Sequence, residues 1–427
     1  METIFALSTA RAKAGVAVIR VSGPGAGLAC EVLCGAVPPA RRAVLRALRD
    51  RTGELIDQAL VLFFPEGASF TGESIVEFQT HGSEAVVSAL LRELGALPGF
   101  RPAEAGEFTR RALLNGRMDL AQVEALGDLL EAETEAQRRQ AMRGMSGALA
   151  AESAEWRASL LRAVALLELV IDFADEDVPE DVVPEVRALL GEVMTRLRQQ
   201  IGGVRAAERL RAGFEVAIVG APNAGKSSLL NRLAGREAAI VSEHAGTTRD
   251  VIEVRMDLDG IPVSVLDTAG LRETNDAVES IGISRAKERA KGADLRVFLR
   301  MGDEDFGDLA RPGDIHLRSK ADEGGVADGI SGLTGYGVDA LLGRLAAALR
   351  DRVESVGLAT HARHEAAMRR GLVALEAASR QLDAGEDAMD LAAEEVHVAI
   401  RALDSLVGRI DVEAVLGEIF ASFCLGK

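Results

Sequence analysis

Gly220-Ala-Pro-Asn-Ala-Gly-Lys-Ser227 follows the apolar run Phe214-Glu-Val-Ala-Ile-Val219 and precedes Ser228-Leu-Leu-Asn-Arg-Leu233, which has the apolar pattern of a helix. The octapeptide fits G-x-x-x-x-G-K-[ST], and strand–loop–helix is the context that pattern needs. Glycines let backbone N–H groups turn toward phosphate oxygens, and the helix N-terminus adds favourable potential. Lys226 is expected to reach the β- and γ-phosphates and Ser227 to ligate Mg²⁺, with Asn223, Ala224, Gly225 and Ser228 completing the phosphate contacts. The stretch predicts an α/β P-loop domain around it.

Downstream segments extend the reading. Gly246-Thr-Thr-Arg-Asp250 lies where a switch loop should follow, with Thr248 able to complete the Mg²⁺ shell. Val263-Ser-Val-Leu-Asp-Thr-Ala-Gly270 reads as a strand running into D-T-A-G. There Asp267 can hold Mg²⁺ through water and the Gly270 N–H can sense the γ-phosphate, with Thr268 and Ala269 between them. Such loops are ordered by the γ-phosphate and released on hydrolysis. Guanine selectivity needs an acidic group facing N1–H and the 2-amino group. Ser319-Lys-Ala-Asp322 resembles N-K-x-D, with Lys320 in place and Asp322 as acceptor, and Ser331, Gly332 and Leu333 resemble the S-A-x loop that follows. Ser319 stands for Asn and loses an amide; Gly332 stands for Ala. Guanine preference is expected to survive through Asp322, with the nucleotide held more loosely.

Many small GTPases place Gln directly after D-T-A-G to orient the attacking water. Here the position holds Leu271, which cannot hydrogen-bond water, so another group must act. Arg272, Glu273, Asp276 and Glu279 lie just downstream, and a carboxylate can orient water directly or through a second water. The same residues also read as a charged, solvated switch segment. Positive charge for the transition state could come from a partner's arginine or from a monovalent cation beside the loop, where the Asn223 side-chain oxygen could help to hold it.

Around this unit the pattern changes twice. Val16 to Val21, Ala59 to Phe64 and Ser74 to Gln79 read as strands among helices and Gly/Pro turns. From Asp119, a possible cap, Leu120, Val123, Leu126 and Leu130 recur at helical spacing, followed by Trp156, Leu160, Leu161, Val164 and Leu167. Pro179 and Pro184 interrupt; Val186 to Leu210 resumes; a last helical stretch runs from near His364 to Phe423. Those last helices are too few to bury a core alone and should pack against the earlier ones. The expected architecture is therefore multidomain: an α+β N-terminal domain (1–118), a central all-helical domain (119–212 and 351–427), and an α/β P-loop domain (213–350) inserted into it.

Composition bounds the partners. Three cysteines, Cys30, Cys34 and Cys424, exclude a disulfide scaffold and fit a reducing cytosol. Arg11 and Lys13 interrupt any early apolar run, so no secretory signal is expected. The apolar stretch Leu160 to Ile171 carries Arg162 and Glu168 and predicts a buried helix rather than a membrane span. A formal net charge of −17 argues against sequence-blind nucleic-acid binding, although residues 1–118 carry 13 Lys+Arg against 12 Asp+Glu. An RNA partner would have to use local clusters such as Arg110, Arg111 and Arg117, or Arg138, Arg139 and Arg143. Solvated helix faces are the other reading of both.

Taken in order, further segments resemble the MnmE (TrmE) family of tRNA-modification GTPases along the whole chain. They are Gly15-Val-Ala-Val-Ile-Arg-Val-Ser-Gly23, Thr71-Gly-Glu73, Val76-Glu-Phe-Gln79 with His81-Gly82, Arg101-Pro-Ala-Glu-Ala-Gly-Glu-Phe-Thr109 and Leu114-Asn-Gly-Arg-Met-Asp-Leu-Ala-Gln122. The phosphate loop, Ala245-Gly-Thr-Thr-Arg-Asp250, Asp267-Thr-Ala-Gly-Leu-Arg-Glu273 and the tail Phe423-Cys-Leu-Gly-Lys427 complete the set. The resemblance implies a homodimer built through the N-terminal domain, which binds 5-formyltetrahydrofolate or a related folate. Arg20, Glu77, Arg117 and Lys427 match the folate-contacting positions, with Arg117 where Lys is common. It implies K⁺-stimulated pairing of G domains, with Asn223, Ser242, His244 and Thr247 on the cation positions and Glu243, Ala245, Gly246 and Thr248 in the same nucleotide-contacting loop. His244 is unusual there and is tolerable if its backbone carbonyl is the ligand. Glu279 matches the catalytic Glu that orients water, Arg249 and Arg272 match arginines of the two switches, and Cys424 matches the tail cysteine. The segments on either side of Ser319-Lys-Ala-Asp322 look short for the family, giving a compact G domain of about 140 residues.

The implied function is GTP hydrolysis coupled to modification of tRNA wobble uridine at C5. An FAD-containing MnmG (GidA) partner in a heterotetramer and a tetrahydrofolate one-carbon donor would install an aminomethyl or carboxymethylaminomethyl group. No dinucleotide fingerprint occurs in this chain, so the redox cofactor should belong to the partner. The competing expectation is a ribosome- or RNA-associated switch GTPase without modification activity; the N-terminal domain and Cys424 tail count against it. A cytoplasmic protein without membrane attachment is expected, since Cys424-Leu-Gly-Lys427 ends in a poor residue for prenylation and no basic amphipathic helix is evident.

Overall fold

Alternation of Ala17, Ile19 and Val21 with Val18 and Arg20 buries one side of a strand and leaves the other half-exposed. Strands of this kind build the first part of the chain. In a computed structural model, the structure describes residues 2–172, 182–236, 239, 253–267, 288–304, 306–322, 324–354, 356–385, 388–409 and 426. It divides into two compact units, Met1–Gly127 with Ala150–Ala154 and Leu403–Lys427, and Asp128–Leu149 with Glu155–Ala402.

The first unit holds β1 (Thr3–Leu7), β2 (Ala14–Ser22), α1 (Ala26–Cys34), β3 (Val44–Arg49), β4 (Leu55–Phe64), β5 (Ile75–Gly82), α2 (Glu84–Gly95), β6 (Phe100–Pro102) and α3 (Glu107–Leu114). The strands form one sheet in the order β3-β4-β5-β2-β1-β6, antiparallel except for the β1–β6 pair. Ile19, Val21, Val61 and Phe78 pack with Ala29 and Leu33 of α1 and Leu90 of α2 in a single core. The expected strands Val16–Val21 and Ala59–Phe64 thus lie within β2 and β4, and Ser74–Gln79 overlaps β5 from Ile75 on. α4 (Leu120–Glu131) begins where Asp119 was expected to cap it: the Gln122 N–H donates to Asp119 Oδ1 at 2.8 Å, and the Asp119 N–H to Gln122 Oε1 at 3.0 Å.

Arg111 does not belong to a basic surface. It is 9% exposed and donates to Glu73 (3.0 Å), Glu107 (3.0 Å) and the Glu2 carbonyl (3.0 Å). Glu107 also accepts from Arg101 at 2.6 Å, and Glu73 from the Ser22 hydroxyl at 2.7 Å. The cluster of Arg110, Arg111 and Arg117 is therefore broken, because its middle member neutralises buried carboxylates. Burial alone would push the Glu107 carboxyl up, but bonds from Arg101, the Glu104 amide and Arg111 outweigh it and hold it at about 2. A carboxyl depressed below its ordinary value stabilises the fold above that value and loses the contribution as pH falls toward about 2. With the side chain 2% exposed the contribution is about 3 kcal/mol. The stability advantage of the wild type over Glu107→Gln is expected to shrink between about pH 4.5 and 2. A difference that stays constant in denaturation curves across that window would contradict this.

The second unit contains α5 (Glu135–Met145), most of α6 (Ala148–Asp172), and α7 (Val183–Ala212). After them come β7 (Phe214–Gly220), α8 (Lys226–Ala234), β8 (Glu253–Leu258), β9 (Ile261–Asp267), β10 (Leu295–Arg300), β11 (Ile315–Arg318), α9 (Val338–Glu354), α10 (Ala362–Ala384) and α11 (Met389–Asp404). Pro184 sits in the first turn of α7, where its missing N–H costs nothing, and Gly213 (φ 92°) turns the chain straight from α7 into β7. Val186, Leu190, Val193, Leu197 and Val204 bury one stripe of α7, and α10 packs along this helix. In α6, Trp156, Leu160, Val164 and Leu167 are buried, whereas Leu161, Leu169 and Ile171 are about two-fifths exposed. The apolar run from Leu160 is thus a one-sided stripe and not a wholly buried helix. Among the described residues no helix is long and apolar enough to cross a membrane. Arg138 and Arg139 share one carboxylate, Glu135 of their own helix, which offsets only one of the three charges of that cluster.

The second sheet runs β11-β10-β7-β9-β8, parallel apart from the β8–β9 hairpin. Leu229, Leu230 and Leu233 of α8 and Leu341, Leu345 and Leu349 of α9 cover it with a core that includes Val216, Ile218, Val263 and Val297. Ala217, Val219 and Phe298 face the other way, against Ala290 and Ala293. Burial on both faces explains why these strands read as continuous apolar runs.

Candidate nucleotide site

β7 has β9 on one side and β10 on the other, so the chain reverses its winding direction at the carboxyl end of β7. Open α/β sheets bind ligands in the crevice at such a point. The loop of residues 220–227 leaves β7 there. Gly220 is required by crowding: a Cβ would lie 2.8 Å from the Leu299 carbonyl oxygen. Asn223 (φ 61°) and Gly225 (φ 86°) are both left-handed, a conformation that Asn tolerates better than most side chains. Successive amides in such turns make an anion-binding nest. Lys226, Ser227 and Ser228 open α8, so their N–H groups precede any acceptor within the helix.

Lys226 is buried, and its Nζ donates to the carbonyls of Gly220 (2.8 Å) and Ala221 (3.0 Å). An ammonium has three protons, so one donor remains for a phosphate. Burial pulls this ammonium's pKa down, and the Asp267 carboxylate partly opposes the shift. Ser227 Oγ donates to Asp267 Oδ2 at 3.0 Å, joining the start of α8 to the end of β9. The other carboxylate oxygen, Asp267 Oδ1, is buried and meets no hydrogen-bond partner among the described residues. Such an oxygen is costly to leave unsatisfied. A hydrated hard cation held by Ser227 and Asp267 would satisfy it, so these residues fit Mg²⁺.

The loops that carry Ser319–Asp322 and Ser331–Leu333 follow β11 and the turn after it. Ser319 is spent on the scaffold: its N–H and its hydroxyl both donate to the Arg300 carbonyl, at 2.8 and 3.1 Å. Lys320 takes a left-handed conformation (φ 58°). Asp322 Oδ1 accepts from the buried Ser331 hydroxyl at 2.5 Å, and the Thr334 N–H donates to that hydroxyl at 3.0 Å. Gly332 lies against α8 so closely that a Cβ would meet the Leu229 nitrogen at 2.5 Å. Arg232, one turn along α8, donates to the Gly332 carbonyl at 3.2 Å and to the Leu333 carbonyl.

In the first unit, Arg20 and Glu77 are cross-strand partners of β2 and β5, joined by a 2.8 Å ion pair. The Arg20 guanidinium lies 5.9 Å from the Phe70 ring centroid and 5.7 Å from that of Phe108, and reaches the Gly426 carbonyl at 3.5 Å. The same carbonyl accepts from the Ser8 hydroxyl at 3.0 Å. A Cβ on Gly426 would overlap the Leu7 carbonyl oxygen, so this close seat at the end of β1 needs glycine. Arg117 is exposed, with its aliphatic stem beside Gly72.

Comparison with known proteins gives two family matches, the MnmE helical domain over residues 120–424 and the GTP-binding protein TrmE N-terminus over residues 3–117. The tRNA modification GTPase MnmE of Ruegeria pomeroyi is 59% identical over 428 residues, covering 100% of both chains. The chain belongs to the MnmE family. A second relative, the tRNA modification GTPase MnmE of Cereibacter sphaeroides (strain ATCC 17029), is 58% identical over 432 residues, again with 100% of both chains covered. Among solved structures, Era of Aquifex aeolicus bound to GDP·AlF4⁻ is 27% identical over 31% of this chain and 56% of that one, with a TM-score of 0.26.

For this MnmE-family chain the structure brings together Asn223 to Ser228 with Asp267 on the phosphate side. It joins Asp322 with Ser331 on the base side, and Arg20 with Glu77 in the first unit. Ser242, Glu243, His244, Ala245, Gly246, Thr247, Thr248, Arg249, Thr268, Ala269, Gly270, Arg272, Glu279, Cys424 and Lys427 lie outside the described residues. Two features escaped the sequence reading. Arg232 carries no motif, and its position one turn beyond Ser228 was the sole cue. The ion network of Glu73, Arg101, Glu107 and Arg111 was split between two segments that carry the resemblance and an arginine that reads as part of a basic cluster.

Proposed function

We propose that this chain is a GTP hydrolase whose cycle drives tRNA wobble-uridine C5 modification. The observation that carries the reading is the Ser227–Asp267 pair beside Lys226 at the sheet's switch point, with an Asp267 oxygen that meets no donor among the described residues. Lys226 and the amides of residues 223–228 bind and orient the triphosphate. Ser227, with Thr248, holds Mg²⁺, which would neutralise charge developing on the phosphates. Asp322 offers both oxygens to the guanine edge, since the Ser331 hydroxyl uses only one lone pair of Oδ1. Glu279 orients the attacking water, a role Leu271 cannot fill. Asn223, Ser242, His244 and Thr247 form the K⁺ site, and Arg249 and Arg272 serve the two switches.

The proposed domains are 1–118, 119–212 with 351–427, and 213–350. Residues 1–118 would dimerise and bind 5-formyltetrahydrofolate or a related folate through Arg20, Glu77, Arg117 and Lys427. Leu45 and Leu60, registered partners on β3 and β4, are 61% and 42% exposed on the sheet face away from α1 and α2, which supports a second copy covering that face. MnmG (GidA), with FAD, would be the redox partner on a tRNA substrate in the cytoplasm, and Cys424 would serve the modification chemistry.

Nucleoside analysis of tRNA tests this. Cells lacking the gene should lose the C5-modified wobble uridine, and the intact gene should restore it. Glu279→Ala should bind GTP normally yet lose roughly 100-fold or more in turnover, typical for loss of a group positioned to handle the reacting proton, and fail to restore the nucleoside. Unaltered tRNA in the deletion strain would reject the tRNA role, and wild-type turnover by the variant would reject Glu279.

A further inference from the structure

The phosphate side and the base side of the site come from distant stretches of chain, and something must hold them in register. Ser319 does not do so, because both of its donors go to Arg300 at the end of β10. The contact instead comes from α8, the helix that carries the phosphate-binding amides at its start. Gly332 rests on the Ser228–Leu229 backbone at a distance that excludes any side chain, and this close approach brings two carbonyls within reach of Arg232. A guanidinium carries several N–H donors in a rigid fork, so one Arg can bond the Gly332 and Leu333 carbonyls at once. The neighbouring Ser331 then fixes Asp322 through the 2.5 Å hydroxyl–carboxylate bond.

We propose that Arg232 is a positioning residue for guanine discrimination: with Gly332 it fixes the Ser331–Leu333 loop, and through it Asp322, relative to the phosphate loop. The inference rests on the reading of this site as a GTP site. A guanine base would engage Asp322 through both N1–H and the 2-amino group, whereas hypoxanthine lacks the amino group and draws less from it. Loosening the loop therefore weakens a guanine nucleotide more than its inosine counterpart, while Lys226 and the loop amides keep their hold on the phosphates.

The experiment is titration calorimetry of the full chain with GDP and IDP, alongside thermal unfolding. Losing two hydrogen bonds in Arg232→Gln is expected to weaken GDP about tenfold and IDP by less than about threefold, so that the GDP/IDP affinity ratio falls. Arg232→Lys keeps the charge without the fork and should recover part of the ratio. Arg236→Ala, which removes an exposed pair with Asp339 at the end of the same helix, should leave the ratio unchanged. An unchanged ratio in Arg232→Gln overturns the proposal, as does a parallel loss of both nucleotides accompanied by a lowered unfolding temperature. A wild-type chain that binds neither nucleotide would instead reject the GTP site itself.

Discussion

Lys226→Ala is expected to abolish measurable GTP hydrolysis and to weaken nucleotide binding by about 100- to 1,000-fold. The figure follows from the one charge-assisted bond that this buried ammonium has left for a phosphate and from its attraction for the triphosphate charge, together about 3–4 kcal/mol. Alanine also leaves the Gly220 and Ala221 carbonyls without the donor that now bridges them, so the loop loses an internal brace as well as a ligand. Arginine would not rescue the site, because its planar fork cannot replace a compact point charge in a position that is 7% exposed. Calorimetry with a slowly hydrolysed GTP analogue in the presence of Mg²⁺ measures the first effect and phosphate release the second. Binding within about fivefold of wild type, a change of only about 1 kcal/mol, would remove Lys226 from the triphosphate.

Arg111→Met should destabilise the first unit by about 3–5 kcal/mol, the usual cost of removing one partner from a buried ion network. Methionine fills much of the volume but donates nothing, so Glu73 loses its guanidinium and Glu107 is left with Arg101, the Glu104 amide and a long 3.9 Å pair with Arg110. The unfolding temperature should fall by roughly 10 °C, by the scaling for domains of this size. Differential scanning calorimetry of the full chain would resolve it, and a shift below about 2 °C would show that the network is not fully desolvated. The strand Thr3–Leu7 should loosen with it, because Arg111 also holds the Glu2 carbonyl. That coupling reaches the candidate folate site, since Phe108 on the same helix lies near the Arg20 guanidinium.

These two changes act on different kinds of information. The role proposed for Lys226 is read from eight consecutive residues, because a phosphate nest is built from local backbone turns and needs fixed residue types at fixed spacing. The β2, β4, β5, β7 and β9 strands were legible for a similar reason: burial with period two, or on both faces, leaves a pattern that needs no partner to be recognised. Asp119 at the start of α4 was legible because capping is local. Arg111 was misread because its neighbours in sequence are basic, while its neighbours in space, Glu73 and Glu107, arrive from another loop and from its own helix one turn earlier. Leu161, Leu169 and Ile171 were misread because composition reports an apolar run, and only packing decides which side of it is covered.

By itself the sequence determined the loop between β7 and α8 and the family, since each depends on residues close along the chain or on ordered motifs. Tertiary structure alone decided that Ser319 is tied to the sheet, that Gly332 touches the backbone of α8, and that Arg232 of that helix reaches the Gly332 and Leu333 carbonyls. Contacts between loops a hundred residues apart depend on how closely a helix and a turn approach, and a missing Cβ or a forked side chain has no periodic signature from which that distance could be read.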